Sequence, residues 1–225
     1  MRILGIETST LRGSVALVED GRTIATADHS EPNAHAERVL PLFDRMIAES
    51  GWSKTSLDRI AVGIGPGSFT GLRVGIALAQ GVALGLDRPV FGVGSLEAMA
   101  RAAPASTPAL RCPVIDARRG EVFLAVYDAA GTERAAPVAI ATDAAARTLE
   151  ALCEGAPKIL LGQAAVALAA DVFRSEQTDL PHAVWVALVA AELPEGAAGA
   201  VPLYVRGPGL VLPDLPPSPL DGNEV

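Results

Sequence analysis

Residues 63–71 read Gly-Ile-Gly-Pro-Gly-Ser-Phe-Thr-Gly, four glycines and a proline within nine positions. An apolar run, 59–63, leads in, and a helical pattern leads out to about residue 86. Such a string fixes a tight strand–turn–helix joint, because glycine reaches backbone angles that other residues avoid. It also aims backbone N–H groups and a helix N-terminus at one spot, an arrangement that receives anions. Neither the Lys-[Ser/Thr] ending of a P-loop nor the G-x-G-x-x-G of a dinucleotide fold is present. Two readings stay open: a phosphate cradle formed with Thr8, Ser9, Gly65, Gly67 and Ser68, and a turn whose glycines serve packing.

The helix behind the joint carries Gly71, Gly75 and Ala79 four apart, and Gly81 and Gly85 likewise. Glycine inside a helix costs about 1 kcal/mol against alanine, so several together need a packing reason. Either an internal neighbour or a partner subunit supplies it.

The chain opens on short apolar runs at 2–6, 14–18 and 23–27, with Asp20-Gly21 between the second and third. Asp-Gly between apolar runs signals a hairpin, so the start is a β-meander. From Ala36 the period changes: Val39, Leu40, Phe43, Met46 and Ile47 line one face of a helix that Gly51 stops. Pro41 is tolerated if the first regular turn begins near Arg38. A strand at 90–93 and a helix at 95–103, with Ser95 as N-cap, complete the first half. Residues 104–110 have a hinge's composition, and a second hairpin follows at 112–116 and 121–127. Helices are expected at 143–153, 164–173 and 182–193, with a strand at 159–161. The segment 208–225 holds five prolines and is expected to be disordered. This order predicts an α/β protein of two related lobes, 1–104 and a reduced 105–207, each a mixed sheet flanked by helices.

Only 4% of the residues are aromatic while half are apolar, so the core must be aliphatic. With 18 Lys+Arg against 26 Asp+Glu the net charge is −8. A stand-alone nucleic-acid binder usually carries a basic excess, so any RNA contact would need a partner's surface. Cys112 and Cys153 lie far apart in sequence and read as reduced, partly buried thiols. No secretory signal is expected, because Glu7 interrupts the first apolar run. The stretch 72–86 comes closest to a membrane span, but Arg73 and Gln80 interrupt it, so no membrane partner is expected.

Candidates for chemistry are few. There is no G-x-S-x-G elbow and no H-E-x-x-H, and His29, His35 and His182 share no metal-ligand spacing. Asp116, Arg118, Arg119 and Glu121 flank one hairpin; an active cluster and a salt-bridged turn both fit them.

Three strings resemble the TsaB (YeaZ) family: Ile3-Leu4-Gly5-Ile6-Glu7-Thr8-Ser9, Gly65-Pro66-Gly67-Ser68-Phe69-Thr70-Gly71-Leu72-Arg73-Val74-Gly75, and Ile115-Asp116-Ala117-Arg118-Arg119-Gly120-Glu121-Val122. Pro202-Leu203-Tyr204-Val205-Arg206 is similar to that family's closing motif. The resemblance implies the two-lobed actin/sugar-kinase/Hsp70 (ASKHA) architecture on ribonuclease-H-like sheets. It implies a cytoplasmic, non-catalytic partner of TsaD, with TsaE, in threonylcarbamoyl transfer to the adenosine next to the anticodon of tRNAs reading A-starting codons. It also implies homodimers when TsaD is absent.

TsaD binds iron or zinc through the histidines of a G-V-x-H-L-E-G-H run. That run is similar here to Gly92-Val93-Gly94-Ser95-Leu96-Glu97-Ala98-Met99, with Ser95 and Met99 at the two histidine positions. A hydroxyl and a thioether are poor substitutes for two imidazoles at such a metal. No cofactor is therefore required, though weak nucleotide binding is compatible with the fold. In the family, the helices after the third strand and after the glycine-rich turn meet the partner. The implied interface is Arg38, Leu42 and Arg45 with Gly71, Gly75, Leu78, Ala79 and Val82. Gly75→Leu is then expected to abolish docking and leave the monomer folded. The alternatives are a small ATP-dependent phosphotransferase or ATPase of the same fold and, more remotely, a metallo-glycoprotease.

Overall fold

A computed structural model describes residues 1–104, 108–169 and 172–206. The segment 208–225 and part of the 104–110 hinge lie outside the described residues.

Alternating turns and aliphatic runs build the first sheet. β1 (Arg2–Glu7), β2 (Gly13–Glu19) and β3 (Arg22–His29) form the antiparallel meander. Asp20 and Gly21 both have positive φ, as the short hairpin requires. β4 (Arg59–Gly65) and β5 (Val90–Gly94) add in parallel, giving the order β3-β2-β1-β4-β5.

The second sheet repeats this plan. β6 (Leu110–Arg118), β7 (Glu121–Tyr127) and β8 (Glu133–Ala141) are antiparallel. β9 (Lys158–Leu161) and β10 (Val172–Phe173) are parallel to β6, giving β10-β9-β6-β7-β8. Two sheets of identical strand order are the internal duplication expected of the two-lobed fold.

The helices fill the faces. α1 (His35–Ser50) and α2 (Phe69–Leu86) lie on one face of the first sheet, where Val39, Phe43 and Met46 meet Leu4, Leu17 and Val62. α3 (Ser95–Arg101) packs against the second sheet through Leu96 and Met99. α4 (Thr142–Cys153) covers that sheet's other side. A one-turn helix, α5 (Glu176–Asp179), precedes α6 (Ala183–Glu192), which is apolar nearly all round.

Several expectations need correction. α6 does not belong to the second lobe: it crosses back to the first sheet, where Val186, Ala187 and Ala190 meet Ile3, Val18 and Phe91. Gly5 admits it, since a Cβ there would lie 2.3 Å from the Ala183 carbonyl oxygen. Each such valine contributes roughly 1.5–3 kcal/mol by leaving water, so the first sheet claims the last helix. α1 starts at His35 and runs through Pro41, whose exposed position tolerates the ring. Ser95 does not cap α3; Gly94 holds that position, and the Ser95 hydroxyl is engaged elsewhere. The helix expected at 164–173 is a 3-10 turn, Gln163–Ala167, followed by β10. β8 was not foreseen, because Pro137 and small residues weaken its pattern.

α2 is 18 residues long with a mean hydropathy of 1.4, long and apolar enough by composition to cross a membrane. The arginine and glutamine that argued otherwise do not lower it below that measure. In this fold its inner face packs on the first sheet through Ile76, Ala79 and Ala83, and Leu72 is buried beside them.

Candidate functional site

The glycine-rich joint and the loop after β1 come together. The Ser68 N–H donates to the Ser9 carbonyl at 2.7 Å. Thr8 Oγ1 donates to the Gly71 carbonyl at 2.8 Å. Ser68 Oγ caps α2 by accepting from Gly71 N at 3.2 Å. A Cβ on Gly67 would lie 2.2 Å from the Ser9 carbonyl oxygen, so glycine is what allows the contact. The Gly65–Pro66 peptide is cis. Thr8, Ser9, Gly65, Gly67 and Ser68 are thus neighbours; Thr8, Ser9 and Gly65 are buried, Gly67 is half-buried and Ser68 is exposed.

Glu7 anchors the cluster and is fully buried. Its carboxylate accepts from Ser9 N at 2.6 Å and from Ser95 Oγ at 2.9 Å. Ser95 Oγ in turn accepts from Gly65 N at 3.2 Å. Burial pushes the Glu7 carboxyl above its ordinary range, and the Ser9 and Ser95 donors pull it back in part. Gly63 makes room, because a Cβ there would lie 2.1 Å from Glu7 Oε2. A phosphate placed here would meet the buried Glu7 carboxylate. Thr8 Oγ1 and the Ser9 and Ser68 N–H groups are paired within the protein, while Ser9 Oγ is buried without a hydrogen-bond partner.

Ser95 and Met99, at the positions of the paralogue's histidines, are both buried. They serve different interiors: Ser95 serves the Glu7 network, while Met99 packs beside Gly162 and the second sheet. Among the described residues, no three His, Cys, Asp or Glu side chains are placed to hold a metal.

The expected interface residues divide. Gly71, Gly75 and Ala79 face inward and are buried. A Cβ on Gly71 would lie 2.1 Å from the Thr8 carbonyl oxygen, and one on Gly75 would lie 2.2 Å from Thr8 Oγ1. Gly71 and Gly75 thus seat the loop after β1, Ala79 lies in the first core, and Gly75→Leu would disturb the fold itself. Gly81 and Gly85 point the other way and meet nothing within 4 Å. With them on the outer side lies Leu84, 86% exposed, while half-buried Leu78 and Val82 pack at the edge of the first core. On α1, Arg38 and Arg45 are exposed and Leu42 is half-buried, with exposed Leu40 nearby. Arg38 forms an ion pair with Glu31, Oε2 accepting at 2.7 Å. At the start of α2, the Arg73 guanidinium lies 3.8 Å from the Phe69 ring centre and donates to Tyr204 Oη at 3.2 Å.

The β6–β7 hairpin is an exposed turn. Asp116 accepts from Arg118 N at 2.7 Å, Glu121 pairs with Arg206, and Arg118, Arg119 and Gly120 all have positive φ. A cavity of about 340 Å³ beside it is lined by Asp116, Thr142, Gln163 and Asp179, with no lysine or arginine. Two carboxylates disfavour a polyphosphate there.

The histidines show what spacing missed. His182 caps α6, Nδ1 accepting from Val184 N at 3.2 Å. His35 Nε2 donates to the Thr10 carbonyl at 2.8 Å, leaving Nδ1 to accept from His29 Nε2 at 3.2 Å. Gly13 was the readable signal for this pair, since a Cβ there would lie 2.4 Å from His29 Nε2.

Comparison with known proteins follows the same lines. The family model described as TsaD, tRNA N6-adenosine threonylcarbamoyltransferase, matches residues 29–198. The tRNA threonylcarbamoyladenosine biosynthesis protein TsaB of Escherichia coli K12 is 47% identical over 130 residues, 56% of this chain and 55% of that protein. The chain spans about half the length of the curated relatives it matches. A solved Pseudomonas aeruginosa protein with similarity to peptidase YeaZ superposes with a TM-score of 0.70 at 30% identity, covering 91% of this chain and 99% of that one. The ethanolamine utilization protein EutJ of Carboxydothermus hydrogenoformans shares the fold alone, with a TM-score of 0.56 at 13% identity over 84% of this chain and 90% of that one.

Proposed function

Since the chain belongs to the TsaB (YeaZ) family, paralogues of TsaD in the threonylcarbamoyladenosine modification of tRNA, we propose that it is a non-catalytic docking subunit. It binds TsaD, and TsaE through the complex, and supports threonylcarbamoyl transfer to the adenosine next to the anticodon. The transfer chemistry belongs to TsaD, in the cytoplasm, and tRNA reaches this subunit only indirectly. Without TsaD, two copies pair through the same helices.

The observation that carries this reading is the outer side of α2. An 18-residue apolar helix holds Leu84 86% exposed, between two glycines that let a neighbouring backbone approach. A large leucine held this far out, beside glycines and with half-buried Leu78 and Val82 further round the helix, leaves apolar surface that a partner would cover. The buried joint supports the same reading, because the Thr8 and Ser95 hydroxyls and the Ser9 N–H are committed to bonds within the protein. The acidic lining of the second-lobe cavity weakens the ATP-dependent alternative. Docking then works by selecting the TsaD conformer whose reacting elements are aligned.

The test is reconstitution with the cognate TsaD, TsaE and the adenylate-forming enzyme. Transfer to tRNA is expected only when a stable complex forms, and Leu84→Asp is expected to remove both while the isolated chain melts as before. No complex and no dependence, with ATP turnover by the isolated chain, would hand the assignment to a phosphotransferase.

A further inference from the structure

Cys112 and Cys153 are separated by the whole β6–β7–β8–α4 excursion, yet their Sγ atoms lie 3.7 Å apart. They are the chain's two cysteines. Both are buried in the second-lobe core, beside Leu149 and Leu160. Cys112 sits on the strand at the centre of its sheet, hydrogen-bonded on both sides to β7 and β9. Cys153 is the last residue of α4, followed by Glu154 and Gly155 in left-handed conformation. One sulfur is therefore fixed, and the other is on a helix end, where fraying is easiest. A disulfide needs the two sulfurs at about 2.05 Å, so the α4 end must shift by less than a residue's length.

We propose that Cys112 and Cys153 form a reversible disulfide modification site, closed by a low-molecular-weight disulfide. Opening of the α4 end exposes Cys153. Its thiol loses a proton, and the sulfur attacks the small disulfide, breaking that S–S bond and releasing one small thiol. On reclosure the Cys112 thiol loses its proton, and its sulfur displaces the second small thiol to form the Sγ–Sγ bond. The protein loses two hydrogens, and the small disulfide becomes two thiols. The reverse exchange restores both cysteines. Both thiols are buried, and burial holds the Cys112 thiol in the protonated form, so the exchange is slow and follows opening of the core. Lys158, held by Glu150 at 2.7 Å, lies near enough to favour the Cys112 thiolate. The closed bond ties α4 to the central strand of the second lobe and leaves the α1–α2 face untouched.

The experiment equilibrates the full chain with oxidised glutathione and follows it by mass spectrometry and peptide mapping. The expected product is a monomer lighter by two hydrogens, free of glutathione, with the peptides holding Cys112 and Cys153 linked. Low urea is expected to speed its appearance, and Cys153→Ser to leave Cys112 as a free thiol under native conditions. Two free thiols after a control vicinal dithiol has fully oxidised would overturn the proposal. So would stable glutathione adducts on single cysteines, or linkage only between chains.

Discussion

Thr8 and Gly75 meet so closely across the joint between the first strand and α2 that a Cβ on Gly75 would lie 2.2 Å from the Thr8 hydroxyl oxygen. That hydroxyl is fixed, since it donates to the Gly71 carbonyl. Gly75→Ala gains about 1 kcal/mol of helix propensity and loses about 1–3 kcal/mol to overpacking. The expected outcome is net destabilisation in urea or thermal unfolding. In a Thr8→Ala background the nearest Thr8 carbon lies at 3.4 Å, an ordinary contact. There Gly75→Ala is expected to be neutral or stabilising. Equal effects of Gly75→Ala in both backgrounds would refute the contact as the reason for glycine.

Arg12 joins the β1–β2 loop to the segment leading into α6. Its buried guanidinium donates to the Glu176 carbonyl at 2.6 Å, to that of Pro181 at 3.2 Å, and to that of Leu180. Charged donors to backbone carbonyls contribute about 1.5–3 kcal/mol each, and loss strands the acceptors. Arg12→Met is expected to cost about 2–4 kcal/mol overall. Hydrogen exchange should quicken first in residues 176–186. Arg12→Lys recovers little, because a point ammonium does not reproduce the fork that reaches three carbonyls. Full recovery by lysine would show that charge alone matters.

Much of this architecture was legible beforehand, and the exceptions have physical causes. Asp20-Gly21, Gly51 and the 63–71 string announced their turns because those residues are chosen by backbone angle. The small-residue stripe was visible too, but spacing says only that something approaches closely. It does not say whether that neighbour is Thr8 or another chain. α6 shows the same limit. A helix apolar on all sides must be buried, yet nothing in its own residues chooses between two sheets. Gly5, 178 positions earlier than Ala183, makes that choice. The thiol pair and the His29–His35 pair were hidden for the same reason, since long-range register has no local signature. Ser95 misled as an N-cap because its hydroxyl serves Glu7, a demand set by the interior of another element.

Glu7 predicts an unusual pH trend. Burial raises its carboxyl above the usual range in the folded chain. A group whose folded pKa is raised contributes stability that is fully present below the unfolded value, 4.5, and lost as pH rises through the folded value. The native protein is therefore expected to lose stability against Glu7→Gln as pH rises from 5 to 8. Glutamine keeps an acceptor for Ser9 N and offers Ser95 a donor, without the charge. Parallel melting curves for the two proteins across that range would show that the carboxyl does not hold its proton on folding.

His182 imposes the opposite trend from the other side of the β1–β2 loop. Its imidazole is lowered to about 4, first by burial and then by the Arg12 charge. Its Nδ1 accepts the Val184 N–H at the start of α6, so a proton there would set two N–H groups against each other. A histidine with a depressed folded pKa contributes stability that is present above its unfolded value, 6.5, and lost as pH falls toward 4. The full loss is at most about 3 kcal/mol, by the usual conversion of a pKa difference into free energy. Asparagine caps helices well and does not titrate. His182→Asn is therefore expected to match the native protein at pH 7.5 and to exceed it at pH 4.5. Because α6 packs on the first sheet, the acid loss should appear as release of α6, followed by hydrogen exchange at Val186 to Ala190. An acid transition that is unchanged in His182→Asn would place the sensitive group elsewhere, with His29, edge-on to the His35 ring, the next to replace.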